Sequence, residues 1–358
     1  LSIGRKALID EWFKTWAPNA DYEVDDNLNI TVKGNLFLNN TLVKELPDNL
    51  TVKGSLNLNN TPIKKLPENI SIGGSLDLEG SKIKKLPDNL TFNGYLDLSK
   101  TPIESLPDNL TVNGSLNLSN TPIKEPPDNL TVEENLFLNN TKIEKLPKNL
   151  TVGRDLYLER TPIKEFPLDI SIGGSIDLSW SEIKKLPENL TIKGNLDLYN
   201  TPIKKLPKNL KVDGYLDLNK TFIEELPENL EVGGSLKLYN TLIKELPENL
   251  TIKGNLDLDN TSIKKLPKGL TVERDLYLKY SFIRELPSDI LVGKSIYLEG
   301  SKIEKLPDNL TVNGDLDLSY TPIKKLPESL TVLKNLYIKG TNIEEIPKSV
   351  KVYGEIIR

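Results

Sequence analysis

The chain of 358 residues contains no cysteine, no histidine and no methionine. Without cysteine there is no disulfide frame and no thiol nucleophile. Without histidine the usual zinc and copper sites are excluded, and the most common general base is missing. The sequence therefore predicts no cofactor and no bound metal, and we expect no enzymatic activity.

Long apolar runs and an excess of positive charge are also missing. Apolar stretches last only a few residues, so no segment is predicted to span a membrane. The formal net charge is −5 with 27% charged residues, which provides no overall basic field for nucleic acid. The chain begins at Leu1 and lacks methionine, which indicates trimming that could have removed a signal segment.

The sequence is instead dominated by an internal repeat of twenty residues. Counting by twenties from Pro47 reaches proline at all sixteen positions up to Pro347, and no insertion shifts this register between Ile30 and Arg358. Repeats of fixed length are typical of solenoids, in which each unit contacts only its neighbours along the stack. We therefore predict one elongated domain of about seventeen coils rather than two or three globular domains.

One unit, Leu46–Lys65, shows how a coil is built; it reads LPDNLTVKGSLNLNNTPIKK. Its segment Ser55–Asn59 alternates polar and apolar residues, which predicts a strand with Leu56 and Leu58 facing inward. Strands that recur every twenty residues have connections too long for hairpins. We therefore expect parallel strands in one continuous sheet on the concave face of the solenoid.

The residues after the strand complete the coil. Thr61 and its equivalents are Thr or Ser in all sixteen units, and a hydroxyl here is expected to satisfy backbone groups of the turn. Pro67 fixes the backbone and predicts an extended return segment without a helix. Gly74 is expected to provide a permissive backbone angle where the chain enters the next strand.

The segment from Leu56 to Pro67, with the pattern L-x-L-x-x-T-x-I-x-x-L-P, resembles the leucine-rich repeat. The resemblance covers about nine tenths of the chain and implies a horseshoe or superhelix with a parallel sheet on its concave face. The family's asparagine is replaced here by Thr or Ser throughout. The twenty-residue length and the recurrent Leu-Pro are similar to the short repeats of bacterial effector proteins. This similarity implies a protein of the bacterial cytoplasm or one secreted into a host.

Residues 1–20 are predicted to form an N-terminal helical cap, followed by the solenoid over residues 21–358. Five apolar residues fall on one face of the predicted helix: Leu8, Ile9, Trp12, Phe13 and Trp16. Such a helix would cover the open end of the first coil, which a repeat array must protect. An amphipathic helix for a membrane or a partner is the alternative, although Asp10 and Glu11 dilute any basic face.

The outward strand positions and the residue just after them concentrate aromatic and acidic side chains. Ten of the twelve tyrosines lie there, nine of them from Tyr157 onward, and the outward strand positions hold fourteen acids against three lysines. Aromatic residues on a rigid face anchor protein interfaces, and acidic charge attracts a cationic surface. We therefore predict a partner-binding site formed by Tyr157, Asp177, Trp180, Asp197, Tyr199, Tyr215, Asp217, Tyr239, Asp257, Tyr277, Tyr280, Tyr297, Asp317, Tyr320 and Tyr337.

Three other interpretations of this face stay open. The tyrosines would stabilise the sheet through cross-strand contacts alone. Asp177, Asp197 and Asp217 would stack at the spacing between strands and could hold calcium, but no loop supplies the usual carbonyl-rich cage, so solvated aspartates are expected. A pair of acids that cleaves carbohydrate would need a pocket that raises the pKa of one of them.

The sequence thus predicts a non-catalytic protein-protein interaction scaffold whose partner has a basic or mixed surface. The resemblance to bacterial effectors implies an effector or its substrate-binding module. The alternative is a surface adhesin-like protein that binds glycans or cations, for which stacked tyrosines and aspartates are also suitable. No nucleic-acid partner is expected, and the sequence does not determine the oligomeric state.

Overall fold

The computed structural model describes residues 2–358, except for the side chain of Ser2. The chain divides into two compact units, Leu1–Ile176 and Asp177–Arg358, which we call unit 1 and unit 2. Each unit is a solenoid of successive twenty-residue coils, so the predicted fold class is confirmed. The prediction of one continuous domain over residues 21–358 stays a prediction.

In each unit, every coil contributes one two-residue strand to a parallel sheet, which we call the main sheet of that unit. In unit 1 these strands are Leu36–Phe37, Leu56–Asn57, Leu76–Asp77, Leu96–Asp97, Leu116–Asn117, Leu136–Phe137 and Leu156–Tyr157, with Ile176–Asp177 at the boundary. In unit 2 they are Leu196–Asp197, Leu216–Asp217, Leu236–Lys237, Leu256–Asp257, Leu276–Tyr277, Ile296–Tyr297, Leu316–Asp317, Leu336–Tyr337 and Ile356–Ile357.

Neighbouring main-sheet strands within a unit pair in parallel at a separation of twenty residues, as Leu56 does with Leu76 and Leu256 with Leu276. Backbone bonds continue past the short strands, since the amide of Asn260 donates to the carbonyl of Lys279 at 2.9 Å. The leucines of these strands are buried, as predicted from the alternation of polar and apolar residues. Their burial in every coil is the main source of stability of the stack.

A second strand in most coils precedes the main-sheet strand, and the sequence analysis did not predict it. In unit 1 these strands are Ile30–Val32, Leu50–Val52, Ser71–Ile72, Thr111–Val112, Thr131–Val132, Thr151–Val152 and Ser171–Ile172. In unit 2 they are Thr191–Ile192, Lys211–Val212, Glu231–Val232, Thr251–Ile252, Thr271–Val272, Leu291–Val292, Thr311–Val312, Thr331–Val332 and Lys351–Val352. They form small parallel sheets of three or four strands, the first of which also contains Tyr22–Val24, antiparallel to Ile30–Val32.

The predicted N-terminal helix is present as Ser2–Trp16. Phe13 is buried and stacks on Tyr22, with ring centroids 3.8 Å apart, and the indole N–H of Trp12 donates to the carbonyl of Glu45 at 3.1 Å. These contacts place the helix against the first coils, as expected of a cap. Leu8 departs from the predicted apolar face, because 65% of its surface is exposed.

Two details of the coil show how the turn after each main-sheet strand is held. The hydroxyl of Thr61 donates to the carbonyl of Leu58 at 2.7 Å, and the equivalent bond is made in most coils from Thr41 to Thr341, which confirms the predicted role of this position. Gly74 was expected to supply an unusual backbone angle, and this expectation was wrong. A Cβ at Gly74 would lie 2.5 Å from the hydroxyl of Ser55, so glycine is needed there for close approach between coils.

Candidate partner-binding face

The outward side chains of the main sheet form the surface that we call the main-sheet face, made of residues 35, 37 and 39 and their equivalents every twenty residues up to 339. In unit 2 this face holds nine acids and three lysines. Most of the predicted site residues lie here with part of their surface exposed, while Asp217 is buried and Trp180, Tyr280 and Tyr320 are exposed beside the face.

The aspartates of the central column have a structural task that the sequence analysis missed. Asp197 accepts a hydrogen bond from the amide of Tyr199 at 2.9 Å, two residues further on, and Asp217 accepts one from Asn219 at 2.9 Å. Asp177, Asp257 and Asp317 make the same bond. Such short-range bonds from Asp or Asn to the backbone stabilise a turn. One oxygen of each carboxylate is therefore used to hold the coil.

The first outward position also serves the backbone, in this case that of the next coil. The side-chain oxygen of Asn255 accepts a hydrogen bond from the amide of Asp275 at 3.0 Å. Oδ1 of Asp275 accepts one from the amide of Ser295, also at 3.0 Å. Asn, Asp and Ser suit this position because their oxygen lies close to the backbone. Tyr215 occupies the same position, although in a tyrosine the whole ring separates the phenol oxygen from the backbone. Tyrosine is therefore not required here by the ladder of hydrogen bonds.

The residue after the face is held in the left-handed backbone region in every coil, at residue 40 and each twentieth residue up to 340, and we call it the corner residue. Asn or Gly occupies ten of the sixteen corners, as expected of the residues that tolerate this region. Trp180, Tyr280 and Tyr320 occupy corners with φ of 59°, 56° and 57°. Bulky residues are rare in this conformation, which costs about 1–2 kcal/mol. The recurrence of Asn and Gly at these positions is a sequence signal that identifies the corners.

Tyrosines and lysines of the face contact each other across coils. The rings of Tyr277 and Tyr297 stack with centroids 4.9 Å apart and an interplanar angle of 16°. Lys279 places its Nζ 5.6 Å from the ring centroid of Tyr297. The ring of Trp180 lies tilted against Tyr199 with centroids 5.7 Å apart. Cross-strand stabilisation therefore accounts for part of the tyrosine content, as the first open interpretation proposes.

Two lysines show how this face accommodates a cation. Lys237 places its Nζ 3.1 Å from Oδ2 of Asp217 and 4.7 Å from the ring centroid of Tyr215. Lys279 lies 3.2 Å from Oε2 of Glu299 in addition to its contact with a tyrosine ring. In both cases an ammonium group lies beside a carboxylate and close to an aromatic ring, which combines an ion pair with a cation–π contact.

Burial and crowding of carboxylates raise the pKa of Asp77, Asp197, Asp257 and Asp259 on the face. Burial raises the pKa of Asp197 to about 6, and the charges of Asp217 and Asp177 add to the rise. Burial and the charge of Asp257 raise the pKa of Asp259 to about 6 as well. Ionised carboxylates held in such surroundings gain from a nearby positive charge. A cationic group bound beside them would therefore be favoured electrostatically.

The remaining predicted residues are placed as follows. Tyr239 is half-buried, and its amide donates to Oδ1 of Asn219 at 2.7 Å. The phenol oxygen of Tyr337 accepts a hydrogen bond from the side-chain amide of Asn335 at 3.5 Å. Tyr157 belongs to unit 1, where its ring stacks on Phe137 with centroids 4.7 Å apart. Sequence reasoning missed three exposed apolar residues beside the corners of unit 2, namely Phe222, Leu242 and Phe282.

The main-sheet face of unit 1 contains one compact acidic cluster, formed by Asp77, Glu79 and Asp97. One oxygen of each lies within 4.8 Å of the others. Glu79 is paired with Lys100 at 2.7 Å, and Asp97 accepts a hydrogen bond from Asn117 at 3.2 Å. Protein groups thus already satisfy much of this cluster, and we assign no cation to it.

Coils of twenty residues, a parallel main sheet and buried leucines in each coil define the fold as a leucine-rich-repeat solenoid. Within residues 2–358, no helix has the length and apolar character needed to cross a membrane. No protein-family model matches the chain, and no curated protein matches it. The class is therefore defined by the coil itself and by comparison with solved structures.

The solved structures that resemble the chain include leucine-rich-repeat proteins of bacteria. YopM from Yersinia enterocolitica WA-314 aligns with a TM-score of 0.56 and 16% identity over 99% of this chain and 100% of that chain. YopM from Yersinia pestis, a leucine-rich effector protein, gives a TM-score of 0.45 and 17% identity over 100% of both chains. A leucine-rich-repeat protein of Leptospira interrogans gives 0.43 and 19% over 86% of this chain and 90% of that chain. The first of these alignments shows a shared fold.

Proposed function

We propose that this chain is a non-catalytic protein-binding scaffold, and that the main-sheet face of unit 2 binds a partner with a basic or mixed surface. One observation carries the proposal. Asn, Asp, Ser or Gly serves the backbone at many outward and corner positions, yet unit 2 places Tyr, Trp or Lys at others, where the same coil forms without them serving the backbone. Side chains that the backbone does not need are available for recognition, and tyrosine and tryptophan are the types that dominate interface energetics.

The electrostatics of the face support a cationic partner. Nine acids against three lysines give the face of unit 2 an excess of negative charge, which speeds association with a positive surface and disfavours a polyanion such as nucleic acid. The arrangement of Lys237 between Asp217 and Tyr215 shows the kind of contact that a partner's lysine or arginine would make. The partner is thus proposed to present Lys or Arg beside apolar side chains.

The structural similarity to YopM supports a proposal for the biological role of this chain. YopM of Yersinia pestis is described as an effector protein. We propose the same class of role for this chain, either as an effector or as the substrate-binding module of one. In such a role the solenoid acts on a host protein by binding it, and the outward side chains of the repeats select the partner.

The experiment is affinity capture from host and bacterial lysates, followed by titration of the purified captured protein. The test variant carries Tyr277→Ala, Tyr297→Ala and Tyr337→Ala. The matched control is Tyr353→Ala, since Tyr353 is 69% exposed but lies outside the main-sheet face. We expect binding that weakens with salt, and a loss of about a hundredfold or more in the triple variant alone, because each anchor contributes about 1–2 kcal/mol.

Matched melting curves show whether each variant is folded. Equal binding by the folded triple variant and the parent would contradict the proposal. A melting temperature that rises on addition of calcium or soluble glycans would instead favour the adhesin-like alternative, because a ligand that binds only the folded state stabilises it.

A further inference from the structure

The corners of unit 2 carry two tyrosines that are held in an unusual way. Tyr280 and Tyr320 have left-handed backbones, and the corners of the coils that follow them are Gly300 and Gly340. A Cβ at Gly300 would lie 2.5 Å from Cδ1 and Cε1 of Tyr280. A Cβ at Gly340 would lie 2.5 Å from Cδ1 of Tyr320. Each ring therefore lies against the backbone of the next corner, which only glycine permits.

The two Tyr-Gly pairs combine a conformational cost with a fixed orientation. Asn adopts the left-handed conformation at seven corners, so the backbone conformation does not require tyrosine at residues 280 and 320. Strained positions of this kind cluster at binding sites, where a fixed orientation lowers the entropic cost of binding. Tyr280 and Tyr320 are still 56% and 53% exposed, so one side of each ring faces solvent. Phe282, 47% exposed, extends the same edge.

The spacing of the two rings indicates what could lie across them. Tyr280 and Tyr320 are two coils apart, which corresponds to about 9.5 Å between strands that repeat every 4.8 Å or so. Residues i and i+7 of an α-helix lie on one face and are separated by about 10.5 Å along the axis. Residues on one face of an extended strand are separated by about 6.7 or 13.4 Å, which fits the rings less well.

We infer that Tyr280, Phe282 and Tyr320 form an edge site for an amphipathic basic helix of a partner, whose apolar residues at i and i+7 rest on the two rings. The charge follows from the adjoining main-sheet face, whose excess of acids in unit 2 complements Lys and Arg on the flank of such a helix. This inference rests on the proposed function and names the element of the partner that reaches beyond the sheet face.

The probe is a stapled helical peptide of eighteen residues with leucine at positions 5 and 12 and arginine at the flanking positions. Its binding to the full chain is measured by fluorescence anisotropy. Two control peptides move the second leucine to position 10 or replace every arginine with glutamate. We expect the first peptide to bind at least tenfold more tightly than either control, because only it matches both the spacing and the charge.

Three variants of the chain assign the binding to the edge site. The double variant Tyr280→Ala, Tyr320→Ala should bind the first peptide at least tenfold more weakly than the parent does. Gly300→Asn should also weaken this binding, because a side chain there displaces the ring of Tyr280 without removing it. Tyr353→Ala should leave the affinity within twofold.

The inference is overturned if the first peptide does not bind, if the moved-leucine peptide binds equally well, or if the folded double variant binds like the parent. It is also overturned if soluble oligosaccharide, and not the peptide, binds in a manner that depends on Tyr280 and Tyr320. None of these results contradicts the proposed function, which is tested separately by Tyr277→Ala, Tyr297→Ala and Tyr337→Ala with the captured partner.

Discussion

Units 1 and 2 share one coil but differ in the side chains displayed on it. The face of unit 1 is mostly Asn and Ser, with five acids and no lysine, and its corners contain no aromatic residue. The face of unit 2 has nine acids, three lysines and six tyrosines, and three of its corners are aromatic. The face of unit 1 also carries aromatic residues, at Phe37, Tyr95, Phe137 and Tyr157, so the units differ mainly in lysines, in the number of acids and in aromatic corners. Under the proposed function, these additional residues of unit 2 serve recognition.

The largest difference between the units should appear in partner binding. Two stacked aromatic pairs are matched in geometry, Phe137 with Tyr157 in unit 1 and Tyr277 with Tyr297 in unit 2. Replacing both members of the unit 2 pair by Ala should lower the affinity for the purified partner about a hundredfold. The same change in unit 1 should lower it less than about threefold. Titration calorimetry with each folded variant measures both. A comparable loss from the unit 1 pair would extend the site to Tyr157, as the sequence analysis predicted.

A difference in stability should follow from the glycine corners. Gly300→Asn places a Cβ against the ring of Tyr280, so we expect a loss of about 2 kcal/mol in the free energy of unfolding. Gly80→Asn in unit 1 meets only the flexible end of Asn60, and its effect should be within about 0.5 kcal/mol. Urea denaturation of both variants measures the difference.

A double variant separates the effect of the Tyr280 ring from that of the left-handed backbone. If the ring is the cause, Tyr280→Ala should restore most of the stability lost by Gly300→Asn, as a double-mutant cycle would show. Equal costs at Gly80 and Gly300 would mean that the left-handed backbone alone demands glycine.

A pH-dependent difference should arise at Asp197. Its folded pKa is about 6 and its unfolded value is near 3.8, so the folded state binds the extra proton between these values and loses stability as the pH rises through that window. Asp197→Asn keeps an acceptor for the amide of Tyr199 and removes the charge; Asn57 and Asn117 already make this bond in unit 1. We expect a gain of about 1 kcal/mol at pH 7, discounted for the partial exposure of the group.

The check is the free energy of unfolding of parent and variant from pH 4 to pH 8. Near pH 4 the two should be nearly equal, because Asp197 is then protonated in the folded state. A gain of the same size at every pH would mean that the crowded charge of this aspartate is not the cause.

The smallest effect concerns the strained corners. Trp180→Asn in unit 2 and Lys100→Asn in unit 1 both place the preferred residue in a left-handed backbone, and Trp180→Asn should raise the free energy of unfolding by about 0.5–1 kcal/mol. The gain in Lys100→Asn should be smaller, because this change also removes the ion pair with Glu79. Thermal unfolding detects a change of this size. A loss of stability in Trp180→Asn would show that the contact of Trp180 with Tyr199 outweighs the strain.

Much of the fold was predictable because the same residue types recur at the same positions in sixteen repeat units. The inward Leu56 and Leu58, the hydroxyl of Thr61 and the extended segment at Pro67 each depend on residue type and local spacing. The second strand of the coil was missed because its two or three residues are too few to show a clear alternation of polar and apolar side chains, whereas Ser55–Asn59 alternates over five. The site residues could be listed from their outward positions, but not sorted into those the backbone uses and those it leaves available.

The amino-acid sequence by itself thus determined the period, the parallel strands, the buried leucines and the acidic, tyrosine-rich face. Only the tertiary structure decided that one oxygen of Asp197 holds a backbone amide, that Trp180 and Tyr280 lie in a left-handed corner, and that Gly300 supports a ring. The physical reason is that the repeat pattern records which residues face inward or outward. Backbone angles, and contacts between side chains one coil apart, depend on how the coils stack.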